Sequence, residues 1–103
     1  MPNKRLGQNF LINNSISKKI IDFAKLDTNS NVLEVGSGRQ ALTKLIKNYY
    51  PRSFIVVEYD KTLHSLNEKL FFNTNYKSIN SDALKFKEKQ HFKHNLTIIS
   101  NLP

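Results

Sequence analysis

Cysteine is absent from the 103 residues, which excludes a disulfide frame and a thiolate metal site and fits a reducing compartment. No apolar run approaches the ~20 residues that a membrane-spanning helix needs, and the N-terminus lacks the apolar stretch of a signal peptide. These absences set a soluble, cytoplasmic protein as the expectation. The three histidines, His64, His91 and His94, show no ligand spacing with one another or with carboxylates, so they read as surface residues and no metal is expected. Neither an internal repeat nor a low-complexity tract interrupts the chain. Acidic residues are scarce, eight against sixteen Lys and Arg, for a formal charge of +8.

A chain of this length makes one domain at most and buries only roughly two thirds of its unfolded surface, so its core is marginal. The cationic excess favours a polyanionic partner, because Lys and Arg neutralise phosphates and release counterions. The same lysines also suit a solvated face in a chain rich in Lys, Asn and Ile. Charge alone leaves nucleic acid and plain solvation both open.

Residues 1–14 carry Pro2, Gly7 and four asparagines around the apolar trio Phe10-Leu11-Ile12, and read as an extended arm that packs. Between Ser15 and Lys25, Ile16, Ile20, Phe23 and Ala24 fall on one helical face. Val32-Leu33-Glu34-Val35 is a short strand, and Gly36-Ser37-Gly38 turns into a helix with Leu42, Leu45, Ile46 and Tyr49 inward, closed by Pro51. Phe54-Ile55-Val56-Val57 is a continuous run of β-formers, as a strand covered on both faces requires. Leu63, Leu66 and Leu70 mark a third helix; a weaker strand spans Tyr76 to Asn80, and Leu96-Thr97-Ile98-Ile99 is the fourth. Tyr49-Tyr50 and Phe71-Phe72 at helix ends suit core packing, and Lys85, Lys87, Lys89 and Lys93 suit a solvated connection. Strands alternating with helices imply right-handed βαβ units, an α/β fold with a parallel sheet.

Each strand ends in a polar or glycine signal: Gly36-Ser37-Gly38, Glu58, Asp82 and Asn101. In an open α/β sheet, ligands bind beyond the carboxyl ends of the strands, so these signals point to one site. Glycines between a strand and a helix let the backbone approach a ligand and expose helix N-terminal amides. Glu58 lies 20 residues beyond Gly38, the spacing at which an acid accepts from ribose hydroxyls. Asp82 suits either an adenine amino group or the N-cap of a following helix. Gly36-Ser37-Gly38-Arg39-Gln40-Ala41 satisfies a dinucleotide fingerprint, which keeps a nicotinamide oxidoreductase among the alternatives. Against it stands Glu34, costly in a buried strand without a task; a carboxylate there suits the cationic end of S-adenosylmethionine or the loop that binds it.

Six segments, in order and at compatible spacing, carry a resemblance: Lys4-Arg5-Leu6-Gly7-Gln8-Asn9-Phe10-Leu11, Val32-Leu33-Glu34-Val35-Gly36-Ser37-Gly38, Ala41-Leu42-Thr43, Val57-Glu58-Tyr59-Asp60, Asp82-Ala83-Leu84 and Asn101-Leu102-Pro103. Along its whole length the chain resembles the N-terminal part of the ribosomal RNA adenine N(6),N(6)-dimethyltransferase family. Gly7-Gln8-Asn9-Phe10-Leu11 sets that family apart from generic methyltransferases, and Lys4-Arg5-Leu6 leans to its small-subunit branch. The resemblance implies a Rossmann-like, S-adenosylmethionine-dependent class I fold, with an arm over residues 1–14 that closes on the cofactor and a partial methyltransferase domain over 15–103. It implies Asn9 and Leu11 over the cofactor, Gly36 at its methionine end with Glu34 and Gly38 in the same loop, Glu58 on the ribose, Asp82 on the adenine, and Asn101 shared with the target base. Lys4 and Arg5 are the expected RNA contacts. Arg39, Gln40, Ser81 and Ser100 depart from the family pattern, which commonly has an apolar residue at the first, a small one at the second and Gly at the last two.

The implied chemistry is positional. An adenine amino nitrogen is a poor nucleophile because its lone pair is delocalised into the ring. The Asn101 side-chain oxygen and a backbone carbonyl near Leu102 suit its two N–H bonds and would turn the lone pair towards the sulfonium methyl. Pro103 biases Leu102 to an extended conformation. The family's base-stacking aromatic, its later strands and its helical C-terminal domain lie beyond Pro103, so the expectation is a fragment inactive alone, with strand four as an edge. The complete protein is expected to be a monomer acting on ribosomal RNA of the small subunit, without membrane or metal. A large-subunit resistance-type methylase, and a non-catalytic remnant or RNA-binding module, are the alternatives.

Overall fold

A computed structural model describes residues 14–38, 40–86 and 96–100, with side chains from Ser17 onward. In chain order the elements are helix α1 (Asn14–Ala24), strand β1 (Asn31–Val35), helix α2 (Ala41–Lys47), strand β2 (Ser53–Glu58), helix α3 (Lys61–Leu70), strand β3 (Lys77–Asn80), a single 3-10 turn (Ala83–Lys85) and strand β4 (Thr97–Ser100). The sheet order is β3-β2-β1-β4, and every described pair is parallel. The expected α/β architecture with its four strands is therefore present. Strand order reverses between β1 and its two neighbours, which is where such sheets open a crevice.

One face of the sheet carries the larger core. Val32, Phe54, Val56 and Ile99 meet Ile21 of α1, Leu42 and Ile46 of α2, and Phe71 just beyond α3. The opposite face is smaller: Leu33, Ile55 and Val57, with Val35, Ile79, Phe86 and Leu96 partly covering it. Because side chains alternate along a strand, both faces of β2 are apolar, and Phe54 to Val57 are all buried as the run of β-formers required. At the amino ends of the strands, Phe54, Phe71 and Tyr76 form a mutually edge-on trio with centroids 5.3, 5.7 and 5.9 Å apart, the geometry that ring quadrupoles favour. The Tyr76 hydroxyl donates to the Pro51 carbonyl at 2.8 Å.

Helix faces differ in part from the periodicity reading. In α1 Ser17 and Ile21 are buried and Ile20 and Ala24 pack against the core as expected, while Phe23 is 89% exposed. In α3 Leu66 is exposed and Asn67 is fully buried instead. In each helix one residue of the expected stripe turns outward while others, Leu70 in α3 among them, keep their place against the core, which a three-or-four spacing tolerates until a neighbour fixes the helix rotation. Helix α2 follows expectation, with Leu42 and Ile46 buried and Leu45 and Tyr49 packed beside them. Of the aromatic pairs, Tyr49 and Phe71 join the core, whereas Tyr50 and Phe72 are exposed. Ile99 of β4 is buried and Ile98 is exposed.

Turn chemistry sets the loop that matters. Gly36 and Gly38 have φ of 80° and 51°, a region where a Cβ is penalised. Gln40, directly before α2, also has a left-handed backbone, φ 68° and ψ 16°, at a cost of roughly 1–2 kcal/mol for a residue with a Cβ. Its backbone N–H donates to the Ser37 carbonyl at 2.8 Å, so the loop closes on itself before α2 begins.

Candidate functional site

The carboxyl ends of three adjacent strands frame a cleft of about 300 Å³ lined by Val35 and Gly36 after β1, Val57, Glu58 and Tyr59 at β2, and Ser81, Asp82 and Ala83 after β3. Register brings them together: Val35 pairs with Val57, Glu58 pairs with Asn80, and the Gly36 N–H donates to the Val57 carbonyl at 2.9 Å. On the other side of β1, Val35 pairs with Ser100. Signals separated by tens of residues thus converge, because parallel strands of one sheet end on one side.

Glu58 is almost fully buried although it ends a strand. Its Oε1 accepts from both the backbone N–H and the hydroxyl of Ser37, each at 2.9 Å. Its Oε2 accepts from the Asp60 N–H at 3.0 Å. A buried carboxylate requires such donors. Asp60 in turn caps α3, accepting from the Leu63 N–H at 2.9 Å, and the Asn80 side-chain amide donates to the carbonyls of Glu58 and Tyr59, both at 2.9 Å. The end of β2 is held from three sides.

Asp82 does what an N-cap does: its Oδ1 accepts from the Leu84 N–H at 2.9 Å at the start of the 3-10 turn. It also lines the cleft, so the two readings of this residue are compatible. Tyr59 and Leu84 are exposed, and Tyr59 presents an aromatic ring at the cleft wall.

Glu34 lies elsewhere. It is fully buried, does not line the cleft, and accepts from the Thr43 hydroxyl of α2 at 2.5 Å. Burial pushes its carboxyl up to about 8, with the neighbouring Glu58 adding to the rise and the Thr43 hydrogen bond opposing it. At neutral pH it is therefore largely a neutral acid. Its Oε2 and the Ser17 hydroxyl are buried without a hydrogen-bond partner. The structure thus attaches Glu34 to α2 through Thr43.

The expectations on Lys4, Arg5, Asn9, Leu11, Arg39, Asn101, Leu102 and Pro103, and those on Lys87, Lys89, His91, Lys93 and His94, lie outside the described residues. His64 departs from the surface reading. Its side chain is mostly covered, Nδ1 lies 2.8 Å from Ser78 Oγ, and Nε2 lies 3.4 Å from Glu68 Oε1. Among the described residues no three His, Asp or Glu side chains cluster as a metal site would need, and no helix is long and apolar enough to cross a membrane. Sequence reasoning missed Ser37, Asn67 and Asn80, which organise Glu58. Asn67 had a signal: it stands four residues after Leu63, on the inward face of α3, where an apolar residue is the norm.

A four-stranded parallel sheet in this order, with the helices described on one face and a glycine loop and an acid at consecutive strand ends, defines a Rossmann-like methyltransferase fold. The family model described as ribosomal RNA adenine dimethylase matches residues 2–103, and the chain belongs to that family. It is 36% identical, over 99% of its length, to the ribosomal RNA small subunit methyltransferase A of Wolbachia sp. subsp. Drosophila simulans. To the protein of the same description from Malacoplasma penetrans it is 42% identical over 97% of its length. The crystal structure of a dimethyladenosine transferase from Plasmodium falciparum superposes with a TM-score of 0.69 at 26% identity, covering 86% of this chain and 32% of that one. The chain spans 38% and 36% of the lengths of the two bacterial relatives.

Proposed function

We propose that this chain forms the cofactor-binding part of an S-adenosylmethionine-dependent enzyme that dimethylates adenosine amino groups in small-subunit ribosomal RNA. The observation that carries this reading is the pair of carboxylates, Glu58 and Asp82, at the ends of neighbouring strands on one cleft with Gly36. Acceptor-only groups fit the donors of an adenosine, two ribose hydroxyls and an amino group, and the cleft volume is at the small end of ligand sites. The small-subunit target follows the description that the bacterial relatives carry.

In this reading Glu58 takes a ribose hydroxyl on Oε2, whose one protein donor leaves an acceptor direction open. Asp82 takes the adenine amino group, and Gly36 lets the backbone come close where a Cβ would intervene. Bound S-adenosylmethionine supplies an electrophilic methyl group on a sulfonium. Asn101 is covalently next to Ser100, which pairs with Val35, so the amide of Asn101 and the carbonyl of Leu102 are the groups to receive the target amino group. Their two hydrogen bonds draw its lone pair out of conjugation, a contribution of orientation rather than of acid–base chemistry. Asn9 and Leu11, in the arm over residues 1–14, close over the cofactor, and Lys4 and Arg5 meet phosphate. A cytoplasmic location and ribosomal RNA as partner belong to the same reading.

Isothermal calorimetry tests it. S-adenosylhomocysteine should bind and NAD should not, and Glu58→Ala should weaken binding by roughly 1.5–3 kcal/mol, the worth of a charged hydrogen bond. Tighter binding of NAD, or no loss in the variant, would refute the assignment.

A further inference from the structure

Gln40 occupies a backbone conformation suited to glycine, yet its side chain is buried and engaged. The Gln40 Nε2 donates to Asn67 Oδ1 at 2.7 Å, Asn67 Nδ2 donates to Ser37 Oγ at 2.9 Å, and Ser37 Oγ donates to Glu58 Oε1 at 2.9 Å. All four side chains are buried. The direction of this chain is dictated by its end. An ionised carboxylate only accepts, so the Ser37 hydroxyl must donate to it; the hydroxyl oxygen is then left to accept, which turns the Asn67 amide nitrogen towards it and the Asn67 carbonyl towards Gln40. Each donor in such a series polarises the next. The series links residues from α3, the glycine loop and the end of β2, and terminates on a carboxylate of the cleft.

We infer that Gln40 and Asn67 are positioning residues, which act through Ser37 to lock Oε1 of Glu58 into the glycine loop and so present Oε2 to a ribose hydroxyl of the cofactor. Oε1 already accepts two hydrogen bonds, from the Ser37 N–H and hydroxyl, whereas Oε2 accepts one from Asp60. Without Asn67 the Ser37 hydroxyl loses the donor that fixes its rotation, and the hold on Oε1 loosens towards the single Ser37 N–H. Asn67 is also tied on its far side, its amide lying 3.4 Å from Ser78 Oγ, so the rotation of α3 sets the position of the whole series. Helix α3 thereby becomes part of the cofactor site without touching the cleft.

The inference rests on the ribose role proposed for Glu58, and the test separates the two. Calorimetry on the complete 103-residue chain compares S-adenosylhomocysteine with its 2′,3′-dideoxy analogue, for the wild type, Gln40→Gly and Asn67→Ala. Gln40→Gly removes the first donor while glycine adopts the left-handed backbone freely, which guards against a variant that merely fails to fold. The wild type should prefer the hydroxylated ligand by about tenfold or more. Both variants should lose several-fold of that preference while their affinity for the dideoxy analogue changes less than about twofold, since a merely structural defect would weaken both ligands alike. A ligand-free readout accompanies it: hydrogen exchange at the Ser37 amide should accelerate in the variants while that of Leu33, inside β1, does not. Equal affinities of the wild type for the two ligands would overturn the ribose reading and the inference with it. A full preference and unchanged Ser37 exchange in both variants would overturn the inference alone.

Discussion

Glu34 makes the pH dependence of this fold predictable. Its ordinary value of 4.5 rises to about 8 in the folded chain, because a fully buried carboxyl with one oxygen on Thr43 and the other unpartnered gains little from ionising. Between these two values the native state holds a proton that the unfolded chain releases. Stability is therefore present in full below about pH 4.5 and declines as pH rises, by about 1.4 kcal/mol per unit, until the native carboxyl too ionises near 8. From pH 5.5 to 7.5, inside the window, the expected loss is roughly 2–3 kcal/mol, a large share of the 5–15 kcal/mol typical of a domain. Glu34→Gln replaces the neutral acid with an amide of the same shape that still accepts from Thr43 but cannot ionise. Urea unfolding followed by circular dichroism at the two pH values should show the variant within about 1 kcal/mol of wild type at pH 5.5 and more stable than it at 7.5. If both proteins lose the same amount between the two pH values, Glu34 is not held neutral and the burial argument is wrong.

Two further outcomes follow from packing and capping. Phe54→Ala, which removes the centre of the aromatic trio, should cost about 3–5 kcal/mol by thermal or denaturant unfolding; a loss under 1 kcal/mol would show that Phe71 and Tyr76 close the gap. Asp60→Ala removes the cap of α3 and should cost about 1 kcal/mol, with Asn as a rescuing substitution; equal stability of the Ala and Asn variants would mean that the capping bond contributes nothing.

Element identity was legible because local signals agreed with the global fold. The β-forming run Phe54 to Val57, the glycines after Val35 and the acid after Val57 each name their place without knowledge of neighbours, and parallel βαβ connectivity then obliges the strand ends to share a side. Helix rotation was legible for α2 and only in part for α1 and α3. Ile21 rather than Phe23, and Asn67 rather than Leu66, face inward because the contact with the sheet and with the adjacent helix selects one stripe from several that the spacing permits.

The sequence by itself determined the order of the elements, the family, and the acids at the strand ends, since these depend on residues near one another or on a chain-long pattern of segments. Only the tertiary structure decided what the buried polar groups do. It attached Glu34 to Thr43 outside the cleft lining, joined Gln40 to Asn67 across 27 residues and Asn67 to Ser37 across 30, and so gave a glutamine in a glycine-suited position a purpose. The physical reason is that a buried donor or acceptor must be satisfied, while its partner is chosen by proximity in space, which a linear pattern does not encode.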